Sequence, residues 1–496
     1  MSIRKQGIGH SIVNYLGVVV SFISTLFIYN LDIELYGFAQ FLVNTANFLI
    51  PFMSLGVVGL VLKYYPEFKE QEGTTSFIKT ILTLFFISTG FFVLAYIFLH
   101  SGFVDLMEYI RIDRKGILEP YFDYVVILAV ILGVNRILTI HSSNLRKIII
   151  PEVINNLGYK LVLPALILLG YYGYIRKDQL MAIILVYFIV IGLMLWFYLR
   201  KSARFQGQLI KWKQLVASKR EEVKSFTFYS ALNGIGASFA FRVDMIMLSA
   251  MLGFTSNGIY ALLLFLSNVI DIPRKSLSKI VTPFLSTAAQ EGDDEMTERL
   301  YQKASITLMV PSVFISILIY FLLPDLDKIV SGNPVFYENR YLFLFLALGR
   351  LVDMIFSNNT EIIRFSKYFK FNLPFIFVLA ATNVTLNYFL INKYAVLGAA
   401  LATFLAFLAY NLLKSGFLYL KMGISPFHRN TWVLVGLSLM NIMILYWIPV
   451  DWSIWISVPV KTLILTLFYL IPAYFLELSP DLNELIRNFV MKYRRS

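Results

Sequence analysis

DQLMAIILVYFIVIGLMLWFYL, residues 178–199, carries no charge after Asp178 and is apolar on every face of a helix. A helix of a water-soluble protein keeps one polar face. At 1.5 Å per residue, a run of this length crosses the roughly 30 Å hydrocarbon core of a bilayer. Working outward, similar runs fall at about 8–30, 37–61, 78–99, 119–141, 151–171, 226–251, 256–272, 303–323, 338–358, 371–391, 395–417, 430–449 and 454–476. The chain therefore reads as an all-α polytopic membrane protein with about fourteen transmembrane helices. Composition agrees. Of 496 residues, 58% are hydrophobic and only 15% charged, against about 25% charged in soluble domains. Mean hydropathy is +0.71. A cytosolic enzyme, a disordered chain and a secreted disulfide scaffold are excluded. With no cysteine there are no disulfides, thiol nucleophiles or thiolate metal sites. The first run is too long for a secretory signal and lacks a small-residue cleavage site, so it reads as a retained span.

Lysine and arginine set the orientation. With the N-terminus inside, the cytoplasmic segments carry about 29 basic residues and the opposite loops about 8. Both termini are expected inside. The net charge of +13 then belongs to inner loops rather than to nucleic acid binding. The segment 201–225 is basic, and Phe205, Leu209, Trp212 and Val216 fall at helical spacing. It reads as an amphipathic helix lying on the inner leaflet. It separates an N-lobe (1–200, spans 1–6) from a C-lobe (226–420, spans 7–12), with spans 13–14 and a basic tail in 421–496. The stretch 273–302 reads as the second long soluble piece. A weak internal repeat supports the division. Asn44 and Asn47 in span 2 match Asn268 and Asp271 in span 8. His10, Asn14, Gly17, Ser21 and Ser24 form a polar stripe in span 1, mirrored by Thr227 to Ser249 in span 7. Such stripes face water or other helices rather than lipid.

Charges inside the spans are the sharpest chemical signal, because each is costly among lipid tails. Lys160 and Arg350 lie near the midplane, Arg136 in the inner third of span 4 and Arg242 in the outer third of span 7. Asp353 follows Arg350 by three residues, so the two are expected to pair. Asp244, two residues from Arg242, points elsewhere. Lys414 and Lys461 are expected to snorkel from span ends. Two readings of the central bases stand: they pin helices to acids, or they meet an anionic ligand. Arg binds phosphate bidentately and Lys as a point charge. A lipid with a pyrophosphate head fits them, with Asn, Ser and Tyr for sugar hydroxyls. Lys160, Arg350, Arg242 and Arg136 are thus the candidate anion ligands. His10, Asn14, Asn44, Asn47 and Asn268 are the polar cavity candidates.

Glu34-Leu35-Tyr36-Gly37-Phe38-Ala39 followed by Leu55-Gly56-Val57, and Arg242-Val243-Asp244 followed by Gly258-Ile259-Tyr260-Ala261, Pro283 and Gly292-Asp293, form one set of landmarks. Leu386-Asn387, Tyr394 and Gly398-Ala399-Ala400-Leu401-Ala402-Thr403 form another. Together they resemble the polysaccharide-transporter branch of the multidrug/oligosaccharidyl-lipid/polysaccharide flippase superfamily. Ala395 stands where that family usually has a glycine. The resemblance implies two six-helix lobes around a central cavity and alternating access. It also implies transfer of undecaprenyl-pyrophosphate-linked oligosaccharide across the bacterial inner membrane for surface polysaccharide such as O-antigen. Membrane lipids, a polysaccharide polymerase and chain-length machinery would be its partners. No cofactor is implied beyond H+ or Na+ coupling, for which Asp244, Asp271 and Asp353 are the candidates. A lipid II flippase and a multidrug exporter of the same superfamily are the alternatives. A membrane glycosyltransferase or polymerase fits less well: the loop holding Asp32 and Glu34 is too short to build a catalytic site, and no metal, phosphate-loop or nucleophile motif occurs.

Overall fold

The computed structural model describes residues 3–65, 74–109, 116, 119–202, 220–330, 334–449 and 452–494. Among these there is helix and turn but no strand. Nine helices are long and apolar enough to cross a membrane, or ten if one bent pair counts as a span. The stretch 178–199 lies in the helix Lys177–Ser202. Leu180, Ile184, Phe188, Ile191, Leu195 and Leu199 form its buried stripe, while Val186, Val190, Leu193, Met194 and Phe197 are exposed. Steps of three and four place the first set on one face. The apolar residues left outside have lipid as their solvent. The chain is a multi-pass helical membrane protein.

Contacts divide it into two compact units, residues 1–261 and 262–496. The first holds α1 (Ile3–Phe27), α2 (Ile33–Ser54), α3 (Val57–Lys63), α4 (Thr74–Tyr109), α5 (Phe122–Asn144), α6 (Ile149–Tyr171), α7 (Lys177–Ser202) and α8 (Arg220–Leu252). The helix α9 (Phe254–Val269) begins in it and passes into the second. Packing centres on α2, which lies against α5 and α8. The expected lobe boundary at 201–225 thus falls inside the first unit, and its last residues, from Arg220, already belong to α8. The rest of the expected interfacial helix, 203–219, lies outside the described residues.

Span 2 was expected to run straight through 37–61. Instead α2 and α3 meet at 77°. Leu55 and Gly56 both have left-handed backbones, with φ of 42° and 85°, and together they turn the chain. Where α2 meets α9, Gly37 and Gly258 permit backbone-to-backbone contact. A Cβ on Gly37 would strike the Phe254 carbonyl, and one on Gly258 the Ile33 carbonyl. Asn257 Nδ2 donates to the freed Gly37 carbonyl at 2.8 Å. Two of the glycines in the sequence landmarks therefore serve a single crossing.

The second unit holds α10 (Ile272–Glu291), α11 (Asp294–Ile329), α12 (Arg340–Ile355), α13 (Asn359–Phe365), α14 (Asn372–Met422), α15 (Arg429–Tyr446), α16 (Ile454–Phe475) and α17 (Pro480–Arg494). The stretch 273–302 is helical, holding α10 and the start of α11. Leu285 and Ala288 of α10 are buried, and Leu285 packs in one core with Tyr301, Ile362, Ile363, Leu418 and Ile424. A second core joins Met309, Val310, Val313, Leu434, Leu465 and Tyr469, and ties α15 and α16 to α11. Spans 11 and 12 form one run, α14, interrupted at Ala395 by non-helical torsions (φ 50°, ψ −132°).

Candidate functional site

In the first unit, three helices converge on a polar seam. Residues Val153–Leu157 of α6 form a π-helical turn, the kind of one-turn irregularity that places side chains at functional sites. It carries Asn155 and Asn156. Asn155 Nδ2 donates to Thr139 Oγ1 of α5 at 2.8 Å. Asn156 Nδ2 donates to Glu152 Oε1 at 2.6 Å and to Asn14 Oδ1 of α1 at 3.3 Å. Lys160 lies one turn further along the same face. Its Nζ rests against Gly17 of α1, 3.1 Å from where a side chain there would begin. Lys160 thus faces α1 and its polar stripe, not lipid. The side chain of His10 lies outside the described residues.

Higher on α2, Asn44 Oδ1 accepts from Arg242 Nη1 of α8 at 3.2 Å. Arg136 of α5 is exposed yet lies within electrostatic reach of Arg242. Among the described residues neither arginine forms an ion pair within 4.0 Å. Asp244 also acts on Arg242 electrostatically. It is buried and accepts hydrogen bonds from the Tyr260 hydroxyl and, at 2.8 Å, from the Met245 amide. Asn47 turns back on the Val43 carbonyl at 2.8 Å. Lys160, Arg136, Arg242, Asn14 and Asn44 therefore belong to one unit.

The second unit carries a separate ladder. Arg350 of α12 donates to Asn268 of α9. The expected Arg350–Asp353 pair is not made. Asp353 binds Arg274 Nη1 at 3.0 Å, and Arg274 also grips Asp271 through Nε at 2.6 Å and Nη2 at 3.0 Å. A spacing of three permits a pair, but a guanidinium from α10 satisfies both acids at once. Among the described residues Arg350 is left without an ion-pair partner. Sequence reasoning missed Arg274, Asn155, Asn156 and Glu152. The Asn155-Asn156 doublet inside an apolar run was the available signal for three of them.

Lys414 and Lys461 do not snorkel. Lys461 is buried and sits 2.6 Å from Asp325, which also accepts from Ser457 at 2.9 Å. Lys414 is 1% exposed and donates to Thr360 Oγ1 at 2.8 Å and the Tyr410 hydroxyl at 2.6 Å.

Long apolar helices, a π-helical turn and basic residues inside the spans define the class: a polytopic helical protein with polar, cationic groups within the membrane. No protein-family model and no curated protein matches the sequence. Solved structures do share the fold. The chain is similar to a lipid II flippase, MurJ, in an inward closed conformation, with 15% identity over 96% of this chain and 99% of that one, at a TM-score of 0.70. It is also similar to an inward-facing multidrug resistance MATE family transporter of the MOP superfamily, with 12% identity over 87% and 95% of the two chains, at 0.60. A MOP superfamily transporter from Pyrococcus furiosus, described as having a binding pocket of reverse polarity, covers 85% and 95% with 12% identity at 0.50. The fold is that of these transporters.

Proposed function

We propose that this chain is a flippase that carries undecaprenyl-pyrophosphate-linked oligosaccharide across the bacterial cytoplasmic membrane by alternating access, for surface polysaccharide synthesis. The observation that carries this reading is the Arg136–Arg242 pair. Two guanidinium groups that act on each other electrostatically, neither in an ion pair among the described residues, repel until an anion arrives. A pyrophosphate supplies about two negative charges and bidentate acceptors. Lys160 adds a third base in the same unit, and Asn14, Asn44 and Asn156 offer hydrogen bonds to a sugar. Arg350, in the second unit, is a further candidate anion ligand. Asn47, Asn268 and His10 remain candidate polar residues for the substrate.

Fourteen spans with both termini inside complete the proposal. Splitting α14 at Ala395, and adding the shorter apolar helices Ile12–Phe27 and Phe254–Val269 and the 18-residue α15, reaches that count. Asp244, Asp271 and Asp353 remain candidates for ion coupling, and a polymerase with its chain-length machinery for partners. A lipid II flippase is a second reading, favoured by the likeness to MurJ along nearly the whole chain. Both substrates present a lipid pyrophosphate, so the basic residues serve either. The intramembrane bases disfavour a cationic drug as cargo.

Native mass spectrometry of the purified protein tests the ligand class. Lipid-linked pyrophosphoryl oligosaccharide is expected to stay bound to the wild type and to be lost from Arg136→Ala and Arg242→Ala. Equal retention by the variants and the wild type counts against the reading.

A further inference from the structure

Spans 10 and 11 are joined by very little chain. Span 10 comprises α12 and α13, turned at 356–358, and its apolar helix ends at Phe365; the next begins at Phe369. Three residues between two spans cannot carry the chain away from the membrane, so the turn stays at the boundary of the bilayer. Its sequence, Ser366-Lys367-Tyr368-Phe369-Lys370-Phe371, interleaves bases with aromatic rings.

The turn is held in one shape. Ser366 Oγ donates to the Ile363 carbonyl at 3.0 Å and accepts from the Tyr368 amide at 3.2 Å. The Phe369 and Phe371 amides donate to the Ser366 and Tyr368 carbonyls at 3.2 and 2.9 Å. Asn372 Nδ2 ties the start of α14 to the Thr360 carbonyl of α13 at 3.2 Å. Phe417, further along α14, packs on Tyr368 and Phe371 with ring centroids 5.5 and 4.8 Å apart. Even so, Phe369 and Phe371 stay 55% and 45% exposed. Lys367 and Lys370 are exposed and lie over the Tyr368 and Phe369 rings, 5.3 and 6.0 Å from the centroids. Arg364, three residues before Lys367, and Lys421, one turn past Phe417, are two further exposed bases at this end of the unit. Among the described residues none of the four forms an ion pair within 4.0 Å. The acid closest in sequence, Glu361, is half-buried one turn back on α13.

We propose that the turn 366–371 is a binding site for an anionic phospholipid, with Lys367 and Lys370, supported by Arg364 and Lys421, on the head-group phosphate and with Phe369 and Phe371 among the upper acyl carbons. Exposed rings at the bilayer boundary have lipid as their neighbour. Bases at the same level meet head-group phosphates, and a net negative head is drawn to them more strongly than a zwitterionic one, whose own ammonium opposes them. The closed turn holds the bases and rings in place before the lipid arrives, which lowers the ordering cost of binding. Interleaved bases and rings also suit single-stranded nucleic acid, but rings at the membrane boundary meet acyl chains instead. On the expected topology this is the inner leaflet. The site anchors α13, the half of span 10 beyond its break, to that leaflet, and it holds whatever the transported cargo is.

The chain has no cysteine, so a single Phe369→Cys carries one bimane label, itself a ring, at the turn of the full-length protein. In nanodiscs of fixed phosphatidylglycerol and phosphatidylcholine content, an acyl-chain quencher is placed on one lipid or on the other. Quenching is expected to be at least about twofold stronger when phosphatidylglycerol carries the quencher. The two are expected to become equal on adding Lys367→Gln and Lys370→Gln, and the preference to persist with Lys367→Arg and Lys370→Arg, which keep the charge. Equal quenching by the two lipids in the labelled parent overturns the proposal, as does a preference that survives the glutamine pair. Quenching by neither lipid places the turn away from the bilayer and overturns it as well. Loss of the preference on adding stoichiometric undecaprenyl pyrophosphate assigns the bases to capture of the cargo head group and overturns the phospholipid assignment.

Discussion

Ala395 sits at φ 50° and ψ −132° at the break of α14. That region is open to glycine and strained for a side chain, with a cost on the order of 1–3 kcal/mol. The resemblance placed a glycine here, and the torsions give the physical reason. Ala395→Gly should therefore raise the thermal unfolding midpoint of the detergent-solubilised protein, by about 1 kcal/mol once glycine's extra unfolded-state entropy is deducted. No change, or a lower midpoint, would mean that the strain is relieved elsewhere. Lys461 and Asp325 show a second local rule. Both are buried, and each is the other's direct counter-charge at 2.6 Å. Lys461→Met leaves Asp325 with only the more distant Lys328, 3.5 Å away, and should cost about 3 kcal/mol. Adding Asp325→Leu should recover most of it, and thermal unfolding of the two variants checks this. Lys461 looked like a snorkelling residue because only its distance from the span end was legible in the sequence. Its partner is 136 residues away.

Helix crossings depend on residues the apolar pattern does not rank. Gly37 and Gly258 let α2 and α9 touch through their backbones. Gly37→Leu forces them apart and should destabilise by about 1–3 kcal/mol, seen as reduced yield and a lowered unfolding midpoint. An unaltered midpoint would show that the contact is looser than drawn. The spans themselves were legible because a bilayer demands long apolar runs. Their internal breaks were not. The turn at Leu55–Gly56, the π-helical turn at Asn155–Asn156 and the interruption of span 10 at 356–358 all sit inside apolar stretches, where hydropathy is blind to backbone geometry. The packing of α10 was not legible because its buried residues, such as Leu285 and Ala288, are diluted by charge. In the candidate site, depth along the spans is what singled out Lys160, Arg136, Arg242 and Arg350. The partners Asn44 of Arg242 and Asn268 of Arg350 come from other helices. Arg274 took Asp353 because contact, not spacing, decides.

For the whole molecule, the expected topology is fourteen spans with Met1 and Ser496 both on the cytoplasmic side, which reporter fusions at the C-terminus check. A C-terminal reporter active only outside the cytoplasm would contradict an even span count. The central claim is that Arg136, Arg242 and Lys160 inside the first unit hold a lipid pyrophosphate during translocation. The most direct measurement is flipping of lipid-linked oligosaccharide in proteoliposomes, comparing the wild type with Arg136→Ala, Arg242→Ala and Lys160→Ala at matched protein and matched thermal stability. The account predicts rapid flipping by the wild type, at least tenfold slower flipping in each alanine variant, as loss of about 1.4 kcal/mol or more of head-group stabilisation implies, and partial activity in Lys160→Arg. Variants that fold and flip as fast as the wild type would contradict it, as would a wild type that moves no pyrophosphate-linked glycan.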